Sequence, residues 1–316
     1  MSPATSSPVS IPRSAAPASA RPGARLPLLD AAFLRRLEEL SIVSRKAVAG
    51  RSKGERRTLR KGPGVEFVDH RGYAVGDDLR YVDWNIYSRL DRLLLKLFIV
   101  EEDLCLHLLV DGSASMGFGR PPKLEYAVRV AAALGYIGLT NLERVAVGLF
   151  AGTLSHMIRP RRGRGQILPL LDFLGSVEAA GPTNLNACLA DYVLRSRAPG
   201  VAVVLSDLLD PGGYQDGLKA LLARRYDVAL LHVVSEDELT PELRGDLTLV
   251  DAESGPPREV SVDRAALDAY RHRLRRHFEE AEAFCTRHRI DYLRTSTAVP
   301  FDDLILRHMR RGGLLK

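Results

Sequence analysis

Cysteine is scarce and badly spaced for a covalent or metal framework. Cys105, Cys188 and Cys285 are the three in the chain, and they form neither a close metal-binding pair nor an even-numbered disulfide set. Buried thiols in a reducing cytosol are the expectation. Long apolar runs are missing too, since no uninterrupted stretch approaches the roughly 18–20 residues of a membrane span. The first residues carry prolines, serines and alanines where a secretory signal would place an apolar centre. We therefore expect a soluble, cytoplasmic protein with no membrane span, a peripheral membrane association staying open. A strong excess of one charge is lacking as well. The net charge of +6 rests on 45 basic against 39 acidic residues, which fits solvated faces better than a nucleic-acid surface. The arginine-rich stretches have no interleaved aromatics, and the basic, glycine-containing run 159–164 lacks the G-K-[ST] ending of a phosphate loop.

What is present is a core-forming composition, 46% hydrophobic over 316 residues, with a clear order along the chain. Residues 1–27 are rich in Pro, Ser and Ala and cannot offset the entropy of ordering, so a disordered tail is expected there. Apolar positions Leu29, Phe33, Leu37, Leu40 and Val43 recur at helical spacing. The dense positive run 51–61 reads as an exposed loop, and 62–84 as an irregular segment held by Arg71, Asp77, Asp78, Arg80 and Asp83. A strand over 93–100 completes an N-terminal module, 28–99, and the rest, 100–316, reads as one α/β domain.

Within that domain the apolar run from Leu104 stops abruptly at Asp111, and Ser113 and Ser115 follow. This suits a buried strand entering a loop. Strands over 145–150, 153–158, 201–205, 228–233 and 290–294 alternate with helices over 121–138, 166–176, 185–195, 213–224 and 264–288. The second of these strands is expected as an antiparallel edge, with a short hairpin over 247–250 and 259–262 and a terminal helix over 302–310. Such alternation argues for βαβ units and a mostly parallel sheet. The strand ending at Leu205 is followed by Ser206 and Asp207, and a Gly181-Pro182-Thr183-Asn184 loop lies between the two.

Carboxylates and hydroxyls are hard oxygen donors, suited to Mg²⁺ or Mn²⁺. The bland alternative is helix capping. Asp111 is badly placed to cap the helix expected from Pro121. Asp210-Pro211 would start the next helix and leave Asp207 to point elsewhere, while Thr183 or Asn184 could cap the helix from Leu185. His107, alone among apolar neighbours, reads as packed.

In order and type, Asp111, Ser113, Ser115, Thr183 and Asp207 resemble the metal-ion-dependent adhesion site of von Willebrand factor A domains. A second set of motifs narrows the likeness: G-x-E-F at 64–67, R-x-Y at 71–73, G-D-D-x-R-x-x-D-W at 76–84, K-x-F at 96–98, Glu101-Glu102, and D-x-S-x-S-M at 111–116. Together they resemble the bacterial family called domain of unknown function fifty-eight over roughly residues 30 to 310. That resemblance implies a von Willebrand factor A-like, Rossmann-like sheet with helices on both faces, beside a smaller irregular N-terminal module. It also implies a non-enzymatic, Mg²⁺- or Mn²⁺-dependent binding and assembly module. Its partners would be a MoxR-type AAA+ ATPase and a target protein offering an acidic residue to the ion, not nucleic acid. A metal-dependent hydrolase and an arginine-based nucleic-acid binder are the competing expectations. The first would need an activated water with a base or second metal; charge is the whole support for the second.

Overall fold

The computed structural model describes residues 29–42, 57–60, 66–75, 77–101, 104–196, 198–251, 253 and 257–309. The expected tail 1–27 and most of the basic run 51–61 lie outside the described residues, as does Val43.

A six-stranded sheet organises the larger part of the chain. Its strands are β4 (Cys105–Asp111), β5 (Arg144–Phe150), β6 (Leu154–Arg162), β7 (Val201–Ser206), β8 (Asp227–Val234) and β11 (Asp291–Ser296), in the spatial order β11-β8-β7-β4-β5-β6. All neighbours pair in parallel except β6, which runs antiparallel to β5 at one edge. This is the expected mostly parallel layout, a doubly wound sheet in which the chain works outward from β4 to one side and then restarts at β7 on the other.

Every residue of β4 and β7 is buried, as parallel strands covered on both faces must be. Side-chain alternation divides the core in two. Leu106, Leu108 and Val110 pack with α3 (Lys123–Thr140), α4 (Ile167–Gly175) and the C-terminal helical segment at 301–309. Leu109, Ala202 and Val204 pack with α5 (Leu185–Arg195), α6 (Gln215–Ala223) and the long α8 (Arg264–His288). Helix α3 runs against the sheet at close range: a Cβ added at Gly138 would fall 2.8 Å from a Val145 methyl of β5. Among the described residues no helix is long and apolar enough to cross a membrane.

The amphipathic segment near residue 30 forms a shorter helix than its spacing predicts, α1 (Ala31–Leu37), started by the Asp30 carboxylate accepting from the Phe33 N–H. Leu29, Phe33, Leu37, Leu40 and Ile42 join the α3 side of the large core, with the Phe33 and Phe301 rings 4.7 Å apart. A separate three-stranded antiparallel sheet, β1-β3-β2, is built from β1 (Arg57–Arg60), β2 (Glu66–Gly72) and β3 (Leu94–Glu101).

Two expectations need correction here. Residues 62–84, read as irregular, contain β2, a single 3-10 turn (Leu79–Tyr81) and the start of α2 (Trp84–Leu90). Gly72 is the last residue of β2, and the charged residues do pair: Arg71 with Asp77 at 2.6 Å, Arg80 with Asp78 at 2.7 Å. The Asp83 carboxylate accepts from the N–H groups of Asn85 and Ile86 and starts α2. The basic run at 159–164, expected to follow the edge strand, largely belongs to it, because β6 extends through Arg162. The hairpin β9 (Gly245–Leu249) and β10 (Arg258–Val262) and a four-residue helix α7 (Glu236–Leu239) complete the chain.

Candidate metal centre

The sheet's strand order reverses between β4 and β7, and at such a switch point the loops beyond the carboxyl ends of the strands diverge and leave a crevice. Asp111 ends β4, and Asp207 immediately follows β7. Both carboxylates are shut away from solvent, Asp111 at 1% and Asp207 at 3% exposure. The Ser206 hydroxyl donates to Asp111 Oδ2 at 2.6 Å and ties the two strand ends together. Asp111 Oδ1 accepts from the Ser113 N–H at 3.0 Å, a turn that folds the D-x-S-x-S loop over its own carboxylate. Ser113 and Ser115 bring their hydroxyl oxygens within 3.1 Å of each other.

The loop that carries Thr183 is tied to the serine loop by backbone hydrogen bonds. The Ala180 N–H donates to the Gly112 carbonyl and the Ala114 N–H to the Gly181 carbonyl, each at 2.9 Å, so the 180–183 loop is sewn onto the serine loop. Asn184, not Thr183, caps α5, its side chain accepting from the Ala187 N–H. Asp210 was expected to start the following helix. Instead its carboxylate accepts from the Leu185 N–H at 2.6 Å and the Gly212 N–H at 2.6 Å. With α5 served by these two residues, the Thr183 hydroxyl is left buried with no hydrogen-bond partner among the described residues.

Asp207 is not free, contrary to the sequence-based expectation. Lys123, fully buried at the first position of α3, donates to Asp207 Oδ2 at 2.8 Å and to Glu238 Oε1 of α7. The other Asp207 oxygen accepts from the Leu209 N–H. Neither Lys123 nor Glu238 stood out in the sequence. The one usable signal is a lysine opening a helix whose remaining surface is apolar nearly all round, since a cation so placed must find an anion.

The electrostatics favour a further cation. Burial and the neighbouring charge of Asp207 push the Asp111 carboxyl up to about 7, against the lowering effect of hydrogen bonds from Ser206 and Ser113. Asp207 and Glu238 share one buried ammonium, and no ion pair to Asp111 is present among the described residues. Among the described residues no group of His, Cys, Asp and Glu forms an all-acidic or imidazole metal cluster. An ion at this rim would instead be held by the Asp111 carboxylate and the hydroxyls of Ser113, Ser115 and Thr183, with Asp207 completing the negative surroundings. The donor set and the orphaned Thr183 hydroxyl fit Mg²⁺ or Mn²⁺. His107 takes no part in it. It is buried beneath the sheet, with Nδ1 2.7 Å from the Tyr192 hydroxyl.

Comparison with known proteins gives relatives without assigned activity. An uncharacterized protein of Mycobacterium tuberculosis is 31% identical over 240 residues, covering 74% of this chain and 75% of its own length. A Mycobacterium bovis protein matches to the same extent, and one of Mycobacterium avium is 33% identical over 139 residues, 43% of this chain and 75% of its own. Among solved structures, the conserved hypothetical protein BatB of Bacteroides thetaiotaomicron overlaps 66% of this chain and 98% of its own, with a TM-score of 0.41 and 15% identity. An aerotolerance-related membrane protein of Bacteroides fragilis covers 66% and 99%, at 0.39 and 16%. The sequence profile of the family described as "Protein of unknown function DUF58" matches residues 69–282, more than half of the chain, and the chain belongs to that family.

Proposed function

We propose that this chain is a metal-dependent protein-binding and assembly module. Its adhesion-type centre uses Asp111, Ser113, Ser115, Thr183 and Asp207 to hold Mg²⁺ or Mn²⁺ and presents the ion to a carboxylate of a target protein. The observation that carries this reading is the buried, unpartnered Thr183 hydroxyl beside a serine loop whose carboxylate is pushed toward protonation. Each feature is costly unless a cation satisfies it. Binding rather than turnover is supported by Lys123, which engages both Asp207 and Glu238 and so leaves neither carboxylate as a ready base for activating water. In keeping with the family resemblance read from the sequence, the cytoplasmic companion we propose is a MoxR-type AAA+ ATPase, which would use the contact to remodel the target.

Calorimetric titration with Mg²⁺ and Mn²⁺ tests the centre. Wild-type protein should bind one ion, and Asp111→Ala should weaken that binding by on the order of 100-fold, the loss of its one directly placed charged donor. Equal affinity in the two proteins would remove the basis for the reading. Retention of the ATPase on immobilised protein in Mg²⁺, and its release by chelator, tests the partner.

A further inference from the structure

The connection between β9 and β10 sends one acidic side chain to the candidate centre. Glu253 Oε2 accepts from the Thr183 N–H at 2.9 Å, across 70 residues of sequence. Its other oxygen, Oε1, is buried and has no hydrogen-bond partner among the described residues, and neither has the Thr183 hydroxyl beside that same N–H. A carboxylate oxygen stripped of water and given no donor is destabilising. Polar groups orphaned in this way call for an explanation, a bound ion among them. No lysine or arginine pairs with Glu253 among the described ion pairs, and the buried ammonium of Lys123 is committed to Asp207 and Glu238. What the two orphaned oxygens share is hardness, and a divalent cation is the species that accepts a carboxylate and a hydroxyl together.

We propose that Glu253 is a built-in acidic ligand of the candidate metal centre, anchored through the Thr183 N–H so that its second oxygen serves the ion held by Asp111, Ser113, Ser115 and Thr183. This rests on the metal-binding reading above and adds a regulation to it. The chain fills from within the coordination position that a target's carboxylate would take, so an incoming acidic residue must displace Glu253.

Glu253→Gln tests this in the full chain, because the amide oxygen can still accept from the Thr183 N–H while the anionic donor is lost. Mn²⁺ alone is the probe, with affinity read by calorimetry and the number of bound waters by solvent proton relaxation. Expected for Glu253→Gln is Mn²⁺ binding weakened on the order of tenfold, with one more water on the ion than in wild type. Unchanged affinity and hydration in Glu253→Gln, while Asp111→Ala still loses the ion, would overturn the role of Glu253 and leave the metal centre standing. Absence of Mn²⁺ binding in wild type, or equal binding in Asp111→Ala, would overturn both.

Discussion

Replacing Lys123 by methionine is expected to remove about 3–5 kcal/mol of folding stability in chelator, the cost of leaving buried carboxylates without their counter-ion. Methionine keeps the length and much of the volume of the lysine stem, so packing at the start of α3 changes little. What changes is that Asp207 and Glu238 lose the ammonium that bridges them. Urea denaturation measures the loss as a lower midpoint at unchanged slope. Neutralising the acids in the same background, Lys123→Met with Asp207→Asn and Glu238→Gln, should recover much of it, since an uncharged site no longer needs the cation. The proposed ion gives a second readout. Mg²⁺ binds the folded state only and sits beside Asp207, so saturating Mg²⁺ should stabilise Lys123→Met more than wild type. A Lys123→Met protein within about 1 kcal/mol of wild type would mean that the bridge carries little of the stability.

The same lysine shows where reading the sequence stops. Strands β4 and β7 are legible because parallel strands buried on both faces are continuous apolar runs, and each ends in an abrupt change to small polar residues that marks the loop. Helix α8 is legible from Leu267, Tyr270, Leu274, Phe278, Ala281 and Phe284 recurring along one face, and in the structure the Asp263 carboxylate starts it, accepting from the Ala266 N–H. Strand β2 was hidden because its register slips between Phe67 and Asp69, which breaks the alternation that identifies a strand. The partners of the centre were hidden for a different reason. Lys123 meets Asp207 and Glu238 across 84 and 115 residues, and Glu253 meets Thr183 across 70. Each is one charged residue in a locally ordinary setting, and only the three-dimensional path of the chain assigns its role. Asp210 was misread by the same logic, because the helix it serves precedes it in the sequence.

Acid should destabilise the metal-free protein by about 1.4 kcal/mol per pH unit between pH 6 and pH 5. His107 is pushed down to about 4 and His232 to about 3, in both cases chiefly by burial, with the charge of His277 adding to the lowering of His232. Folded, both stay neutral in this window, their Nδ1 atoms paired with the hydroxyls of Tyr192 and Tyr292. Unfolded, each titrates at the ordinary value near 6.5 and takes up a proton. Their contribution is therefore complete above about pH 6.5 and declines as the pH falls toward 4 and 3. Asp111 has the opposite sign. Its folded carboxyl, up to about 7, holds a proton that the unfolded chain releases down to about 4, so it stabilises as the pH drops through the same window. Two protons gained on unfolding against one lost leave a net uptake of one, and His277, also lowered by burial, adds to the uptake. Denaturant midpoints at pH 6.0, 5.5 and 5.0 in chelator measure the slope. Asp111→Asn, which cannot titrate, should roughly double it. A flat profile in both proteins would mean that His107 and His232 carry their charge inside the fold, where neither tyrosine hydroxyl could donate to a doubly protonated ring.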